Sequence, residues 1–448
     1  MSGNVPHRNC QQLGMRGPVN NNGQIRRRRA VRLGVTGVVT ALALAVQACG
    51  SATAHGSADG QAAAAPAKAG ATTSRFFGMH VPQLATAFPK AKVGAVNLTT
   101  NNVYWPNLET APGTWDFTHL DALVSQARRH GAQPLLVLGQ TPAFYSQSPS
   151  SPQVWATVPD LAPWKAYVQK VVDRYGTKLD YEIWPEANIV SNWAGNQSQL
   201  AARVAAAAKI IHARAPRATV VSPAMVLRLA YERRWMDKFF AQKVGGKLIG
   251  KSFDAIGLDP YPTVTGSPED SMSLIGKARR ILASHKVTAP QWNVEINYGV
   301  VGGNTPITGH SSARKQASYV VRTYVLNAGA RIKRVYWLGW ARFDSLDIQM
   351  VETDGVTPSA AGRAYSRVQK WLTGQKVTGC QQARHSHVYT CTLRRSGRTS
   401  WVYWVPSGRT SVPAPAGARH VQSMTGVVSR TRHGKRIRVT NAPIWVYH

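Results

Sequence analysis

The sequence predicts an α/β fold, a (β/α)8 (TIM) barrel over residues 73–376, followed by a small all-β domain over residues 377–448. Three observations carry that expectation. Eight short apolar runs alternate with longer amphipathic stretches, the rhythm of strand, crossover helix and next parallel strand. The helical stretches stop at Gly131, Gly176 and Gly329 or just before Pro216, where residues that tolerate or force a break belong. After residue 376 the pattern changes to short alternating strands between Ser, Gly and Pro turns.

The eight runs are Phe76–Val81, Val93–Thr99, Gln133–Gly139, Leu179–Trp184, Thr219–Ser222, Phe253–Leu258, Gln291–Ile296 and Arg334–Leu338. Helices are expected over His119–His130, Leu161–Tyr175, Ser198–Arg214 and Ser312–Ala328. In the last of these, Val320, Val321, Tyr324 and Val325 recur at helical spacing and mark one buried face. An open doubly wound sheet would need a Gly-rich first turn, and Gly78-Met79-His80 does not supply one. In the terminal domain the strand signals are Val388-Tyr389, Ser400–Val405, Arg436–Thr440 and Ile444–Tyr447. That domain reads as scaffold, or as a surface that binds wall or glycan through Arg and Trp.

The N-terminus, residues 1–49, reads as an export signal of lipoprotein type. Arg26–Arg29 and Arg32 form its basic part, and Leu33–Val46 an apolar stretch short for a membrane span. Val46-Gln47-Ala48-Cys49-Gly50 resembles a lipobox, with Cys49 as the candidate lipidation site and Gln47 bulkier than the residue usual there. Residues 50–72, rich in Ala, Gly and Ser, read as a flexible tether. The expected location is extracellular or in the cell envelope, anchored outside the cytoplasmic membrane.

The formal charge of +34 is unevenly distributed. Residues 1–72 hold 8 Lys/Arg and 1 acid, residues 73–376 hold 35 and 19, and residues 377–448 hold 11 and none. Such a surface is either merely solvated or attracts an anionic cell-wall polymer or membrane surface. No nucleic-acid-binding motif accompanies the charge, so nucleic acid is not an expected partner. Cys10 lies upstream of the signal and Cys49 is assigned to lipid, which leaves Cys380 and Cys391 as a structural disulfide in an exported chain. Two thiols eleven residues apart lack a standard metal spacing, and no metal or cofactor is expected.

Two carboxylates stand where strands end. Glu186 follows Pro185, which cannot donate to a strand ladder, and Glu295 lies in a run stopped by Gly299. Strand ends of a parallel barrel form the face where chemistry happens. A pair of carboxyls is the minimum equipment for breaking a glycosidic bond.

Several stretches resemble the clan A glycoside hydrolases, retaining enzymes on a (β/α)8 barrel, and most closely family 39. Trp105-Pro106-Asn107-Leu108-Glu109 with Gly113, Trp115, Phe117 and Leu120-Asp121 is similar to that family's second βα loop. Tyr181–Asn188 is similar to its fourth-strand signature, Phe253–Ile256 with Pro260-Tyr261-Pro262 to its sixth, and Gln291–Gly299 to its seventh. The resemblance covers about residues 75–375. It implies that Glu186 is the acid/base and Glu295 the nucleophile, with the carboxyls about 5–5.5 Å apart. It implies that Tyr261 hydrogen-bonds the nucleophile and that Trp337 floors the subsite at the cleaved bond. Glu182 is implied as a support inside the barrel.

Tyr298, Trp105, Trp193 and Trp340 join Tyr261 and Trp337 as aromatics at strand ends that stack on sugars or wall the cleft. Two departures from the family pattern stand out. The asparagine expected before the acid/base, which holds the sugar 2-hydroxyl, is Pro185, and the histidine expected on the sixth strand is Asp259. Either the substrate differs at that hydroxyl, or Asn188 or Asn293 replaces the contact, or activity has decayed. Asp259 binds a hydroxyl or raises the glutamates' pKa, or else pairs with an Arg. The functional expectation is an exported, monomeric retaining glycosidase acting on a poly- or oligosaccharide. The alternatives are a weak or inactive barrel that binds polysaccharide, and a basic envelope adaptor.

Overall fold

The computed structural model describes residues 70–301 and 305–448, which fall within one compact unit. The expected signal, Cys49 and most of the tether lie outside the described residues. The tether's last residue, Thr72, is pinned to the body by backbone hydrogen bonds to Gln375 and from Gly374.

Eight parallel strand positions close into a ring. They are β1 (Phe77–His80), β2 (Ala95–Asn97), β3 (Gln133–Leu138), β4 (Asp180–Ile183), β5 (Val220–Val221 and Met225–Val226), β6 (Ile256–Asp259), β7 (Gln291–Ile296) and β8 (Val335–Leu338). β1 lies between β2 and β8, and the order runs on through sequence neighbours on both sides. The two halves of β5 share the closure. Val220–Val221 pairs with β4, Met225–Val226 pairs with β6, and a Val221–Ala255 bridge joins the gap. Pro223 interrupts the ladder between them, and Ser222 Oγ accepts the Gly257 amide in its place.

Seven helices pack outside the ring: α1 (Thr118–Arg129), α2 (Leu161–Tyr175), α3 (Gln197–Arg214), α4 (Ala230–Phe240), α5 (Pro268–Ser284), α6 (Ala313–Gly329) and α7 (Ala360–Leu372). Residues 81–94, between β1 and β2, hold no helix; turns close that connection instead. The ring's interior is filled by Ala95, Leu135, Val221, Ala224, Ala255, Trp292, Val294 and Tyr336. Gly78 belongs there because a Cβ would stand 2.5 Å from the Tyr336 ring. Period-two alternation sends the strand residues between the inward-facing ones outward to the helices.

α6 is buried from Ala317 through Asn327, well beyond one face, because a second domain covers its outer side. Gly329 lies inside its last turn, not beyond it: a Cβ there would meet Cys380 Sγ at 2.6 Å. The left-handed residue after the helix is Arg331 (φ 62°). The expected glycine stop is thus a packing requirement at this helix, whereas Gly131 and Gly176 do adopt positive φ.

The second domain is a six-stranded antiparallel sheet, ordered β9 (Lys376–Gln382), β10 (Tyr389–Arg395), β11 (Arg398–Trp404), β16 (Ile444–Tyr447), β13 (His420–Ser423), β14 (Val428–Arg430). A ribbon of β12 (Arg409–Pro413) and β15 (Arg436–Thr440) covers it. Cys380 and Cys391 face each other across β9 and β10 and form the expected disulfide. The sheet is keyed to the barrel by polar contacts that leave no buried charge unpaired. Glu269 of α5 takes the Arg322 guanidinium of α6 and the Trp404 indole N–H (2.8 Å), and Trp371 donates to Gln422 at 2.7 Å.

Candidate active site

Strand chemistry brings Glu186 to the ring's C-terminal mouth. Pro185 ends β4, and the chain turns sharply through Trp184 (φ 79°) and Glu186 (φ 35°), conformations that L-residues rarely adopt. Gly139 makes the turn possible, since a Cβ there would crowd Pro185 Cδ at 3.1 Å and the Trp184 ring at 3.3 Å. Asn192 Nδ2 then donates to Glu186 Oε2 at 3.1 Å.

Glu295 reaches the same mouth through a β-bulge. Asn293 pairs with Val335 and Ile296 with Trp337, so two residues of β7 oppose the single Tyr336 of β8. Asn293 and Ile296 point outward, to Asn327 and the helix layer respectively. Val294 and Glu295 therefore both turn inward, where strict alternation would have sent Glu295 to the helices. Tyr261, just beyond β6, donates its hydroxyl to Glu295 Oε1 at 2.8 Å. His80 Nε2 lies 3.8 Å from Glu295 Oε2.

His80 donates from Nε2 to the Val294 carbonyl (3.0 Å), which fixes the tautomer and leaves Nδ1 without a protein partner. Burial lowers its pKa more than the Glu295 charge and the Val294 carbonyl raise it, so it stays neutral. Glu186 is pushed up to about 8, first by burial and then by the negative charge of Glu295. Asp259 and Glu182 are also pushed up, by burial and then by Glu295. Each has one buried oxygen without a hydrogen bond, Asp259 Oδ1 and Glu182 Oε2. The charges of Glu295, Glu186 and Glu182 act on Asp259, and among the described residues no salt bridge joins it to an Arg, so the expected alternative of an Arg partner is not realised. Tyr104 faces the same group: burial and then the charges of Glu295, Glu182 and Glu186 raise its pKa.

The structure therefore brings Glu186, Glu295, Asp259, Glu182 and Tyr261 together, and it separates Trp337, Tyr298, Trp105 and Asn188 from them. Trp337 is fully buried and points outward, packing on Tyr298 and Tyr324. Parity explains the correction: Tyr336 and Leu338 are the inward residues of β8, so a part-exposed Leu338 stands where an aromatic floor was expected. Tyr298 is buried against Tyr319, its hydroxyl bonded to Thr323 of α6 (2.7 Å). Trp105 stacks on Tyr167 at 4.7 Å and donates to Glu109 at 2.7 Å, in a brace that also takes the Gly113 amide and the Tyr145 hydroxyl. The second-loop pattern is thus a folded clamp.

Asn188 is not a sugar contact either. Its amide exchanges hydrogen bonds with the Val226 backbone and donates to the Glu232 carbonyl. Asn293 faces α6. Neither replaces the asparagine missing at 185; the amide that reaches the acid/base candidate is Asn192. Sequence reasoning missed His80, Tyr104 and Asn192. His80 was signalled by its place at the end of β1, the other two by nothing short of the loop geometry. Among the described residues, no group of three or more His, Cys, Asp or Glu side chains is arranged to hold a metal ion.

These features define a (β/α)8 barrel with a carboxyl cluster at its C-terminal mouth. The same fold is seen in a family 39 glycoside hydrolase from the gut symbiont Bacteroides cellulosilyticus WH2, to which the chain is 16% identical, with 84% of this chain and 81% of that one covered and a TM-score of 0.63. It is seen also in the GH39 enzyme from Xanthomonas axonopodis pv. citri (16% identity, 84% and 95% covered, TM-score 0.55). A GH30 endoxylanase from Clostridium papyrosolvens C71 shares it as well (12% identity, 85% and 98% covered, TM-score 0.57). No protein-family profile and no curated protein sequence matches the chain.

Proposed function

We propose that the protein is a retaining glycoside hydrolase, with Glu295 as nucleophile and Glu186 as acid/base. The observation that carries the reading is the division of labour at one mouth. Glu186 is pushed up to about 8 and so holds a proton at neutral pH, while Glu295 accepts the Tyr261 hydroxyl at 2.8 Å. In the first step a Glu295 oxygen attacks the anomeric carbon as the glycosidic C–O bond breaks, and the Glu186 proton passes to the departing oxygen. In the second, Glu186, now ionised, takes a proton from water, whose oxygen displaces Glu295 and restores both groups. Asp259 and Glu182 offer buried oxygens to the sugar's hydroxyls. Pro185 has no donor to place on the 2-hydroxyl, so a substrate whose recognition does not depend on that contact fits best.

A 2-deoxy-2-fluoro glycosyl fluoride tests the reading. Mass spectrometry of the inactivated protein should show one sugar on Glu295, and Glu295→Gln should take up none. Glu186→Ala should recover turnover of an activated aryl glycoside when azide is added. Wild-type protein that hydrolyses no glycoside across a broad panel, and is labelled by none, would overturn it. A second reading, a weak polysaccharide-binding barrel, is favoured by Pro185 and Leu338, and glycan binding that survives Glu186→Gln with Glu295→Gln would support it.

A further inference from the structure

The terminal domain contains 11 Lys/Arg and no acid across residues 377–448, and all eleven cations are exposed. Among the described residues no salt bridge involves any of them; every ion pair lies within the barrel. The barrel, by contrast, pairs several of its arginines with carboxylates.

The fold concentrates part of this charge on one face. The six-stranded sheet turns Val377, Cys391, Leu393 and Trp404 toward the barrel. Its opposite side is covered by the β12–β15 ribbon, whose Ile437 and Val439 pack on Tyr403 and Val446. The ribbon's other face is the outermost layer of the domain. Register places Ser411 opposite Arg438, Pro413 opposite Arg436 and Arg409 opposite Thr440, so three arginines share that face. Arg432 and Lys435, both exposed, extend it through the turn before β15. Arg436 lies along β12, donating to the Ser411 hydroxyl (2.9 Å) and carbonyl (3.0 Å).

The strip also has a direction. At its far end Thr440 Oγ1 accepts Arg314 at 3.1 Å, and the next carbonyl, of Asn441, accepts the Ser318 hydroxyl. Both partners lie in the first turns of α6, which follows β7 and therefore starts on the mouth side of the barrel. One end of the cationic strip thus abuts the rim that carries Glu295.

We infer that the outer face of the β12–β15 ribbon, with Arg314, is an accessory binding surface for an anionic glycan chain, which it holds beside the barrel mouth. Arginine's planar fork matches carboxylate and phosphate oxygens in pairs. The strip carries no exposed aromatic for base stacking and no large apolar side chain for insertion in a bilayer. The large exposed hydrophobics of the domain, Val427 and Val428, lie on the β13–β14 hairpin instead. This inference deepens the glycosidase reading by naming a class of polymer, and it is measured without turnover.

The test uses Glu295→Gln protein and compares it with the same chain carrying Arg409→Ser, Arg436→Ser and Arg438→Ser. A control removes equal charge elsewhere in the domain through Arg384→Ser, Arg394→Ser and Arg398→Ser. Probes are polygalacturonate, poly(glycerol phosphate), neutral xylan, a DNA duplex and vesicles with 30% anionic lipid. The expected result is binding to one or both anionic glycan-type polymers that weakens at least tenfold in the ribbon variant and far less in the control. The slope of log Kd against log salt should fall by about two for three lost cations. Polygalacturonate and the phosphate polymer distinguish carboxylate from phosphate as the recognised group. Equal loss in the control, or tighter binding to DNA or vesicles than to either polymer, overturns the inference. In the wild-type background the ribbon variant should keep kcat/KM on a small neutral aryl glycoside. If no glycoside is cleaved, the catalytic reading fails while the binding result still stands or falls by itself.

Discussion

The Tyr261 hydroxyl donates to Oε1 of Glu295 at 2.8 Å, and the two residues arrive there by different devices. Tyr261 follows the end of β6, whereas Glu295 is turned to the mouth by the bulge in β7. A hydrogen bond to a charged acceptor contributes about 1.5–3 kcal/mol. Tyr261→Phe should therefore lower kcat/KM for an aryl glycoside by roughly 10- to 150-fold. Steady-state kinetics and the rate of labelling by the fluoro-sugar check it; both should fall together.

In the proposed mechanism Glu186 sets the alkaline side of the pH profile. As acid it must be protonated, and it is pushed up to about 8, so kcat/KM should decline above about pH 8. Removing the negative charge of Glu295 removes the largest cause of that shift after burial. In Glu295→Gln the Glu186 titration, followed by carboxyl infrared absorption, should move below 8 yet stay above the ordinary carboxyl range, because burial remains. An unchanged titration would mean that the two carboxyls do not share one mouth.

Asp259 and Glu182 make the folded protein weaker as pH rises. Their folded-state pKa values lie above the unfolded ones, so the folded state holds protons that the unfolded chain has released. Stability is full below the unfolded carboxyl values and falls as pH climbs toward the folded ones. Asp259→Asn and Glu182→Gln should thus raise the thermal midpoint at pH 7–8, by about 2–4 °C per kcal/mol recovered, and should give little at pH 4. Scanning calorimetry at the two pH values decides it. A gain of the same size at both would remove the titration from the explanation.

Strand rhythm is enough to locate the eight barrel strands, apart from the second half of β5 (Met225–Val226) beyond Pro223, because a buried parallel strand is an apolar run whichever face it shows. It is not enough to tell which residues face in. The family resemblance puts Trp337 at the floor of the mouth, yet parity along Arg334, Tyr336 and Leu338 sends it outward, next to Tyr324. For Glu295 the error would have run the other way, since alternation counted from Trp292 points it at the helices and only the bulge returns it. Bulges and loop amides such as Asn192 depend on partners far along the chain, which spacing does not encode. Trp105 shows a further limit: a motif shared with a catalytic family can be shared because it folds a loop.

The two misplaced tryptophans give the last prediction. Trp337 and Trp105 are fully buried, one between β8 and α6, the other in the clamp on Glu109. Replacing either with Phe removes part of a packed ring, and Trp105→Phe also strips the indole N–H from the buried Glu109 oxygen. Each should cost about 1–3 kcal/mol, with Trp105→Phe the larger because it leaves an acceptor unsatisfied. Neither should change KM, since neither ring reaches the mouth. Denaturant titration measures the first quantity and steady-state kinetics on the folded protein the second. A tenfold rise in KM in Trp337→Phe at unchanged stability would return that ring to the sugar site and overturn the assignment of Leu338 to the floor of the mouth.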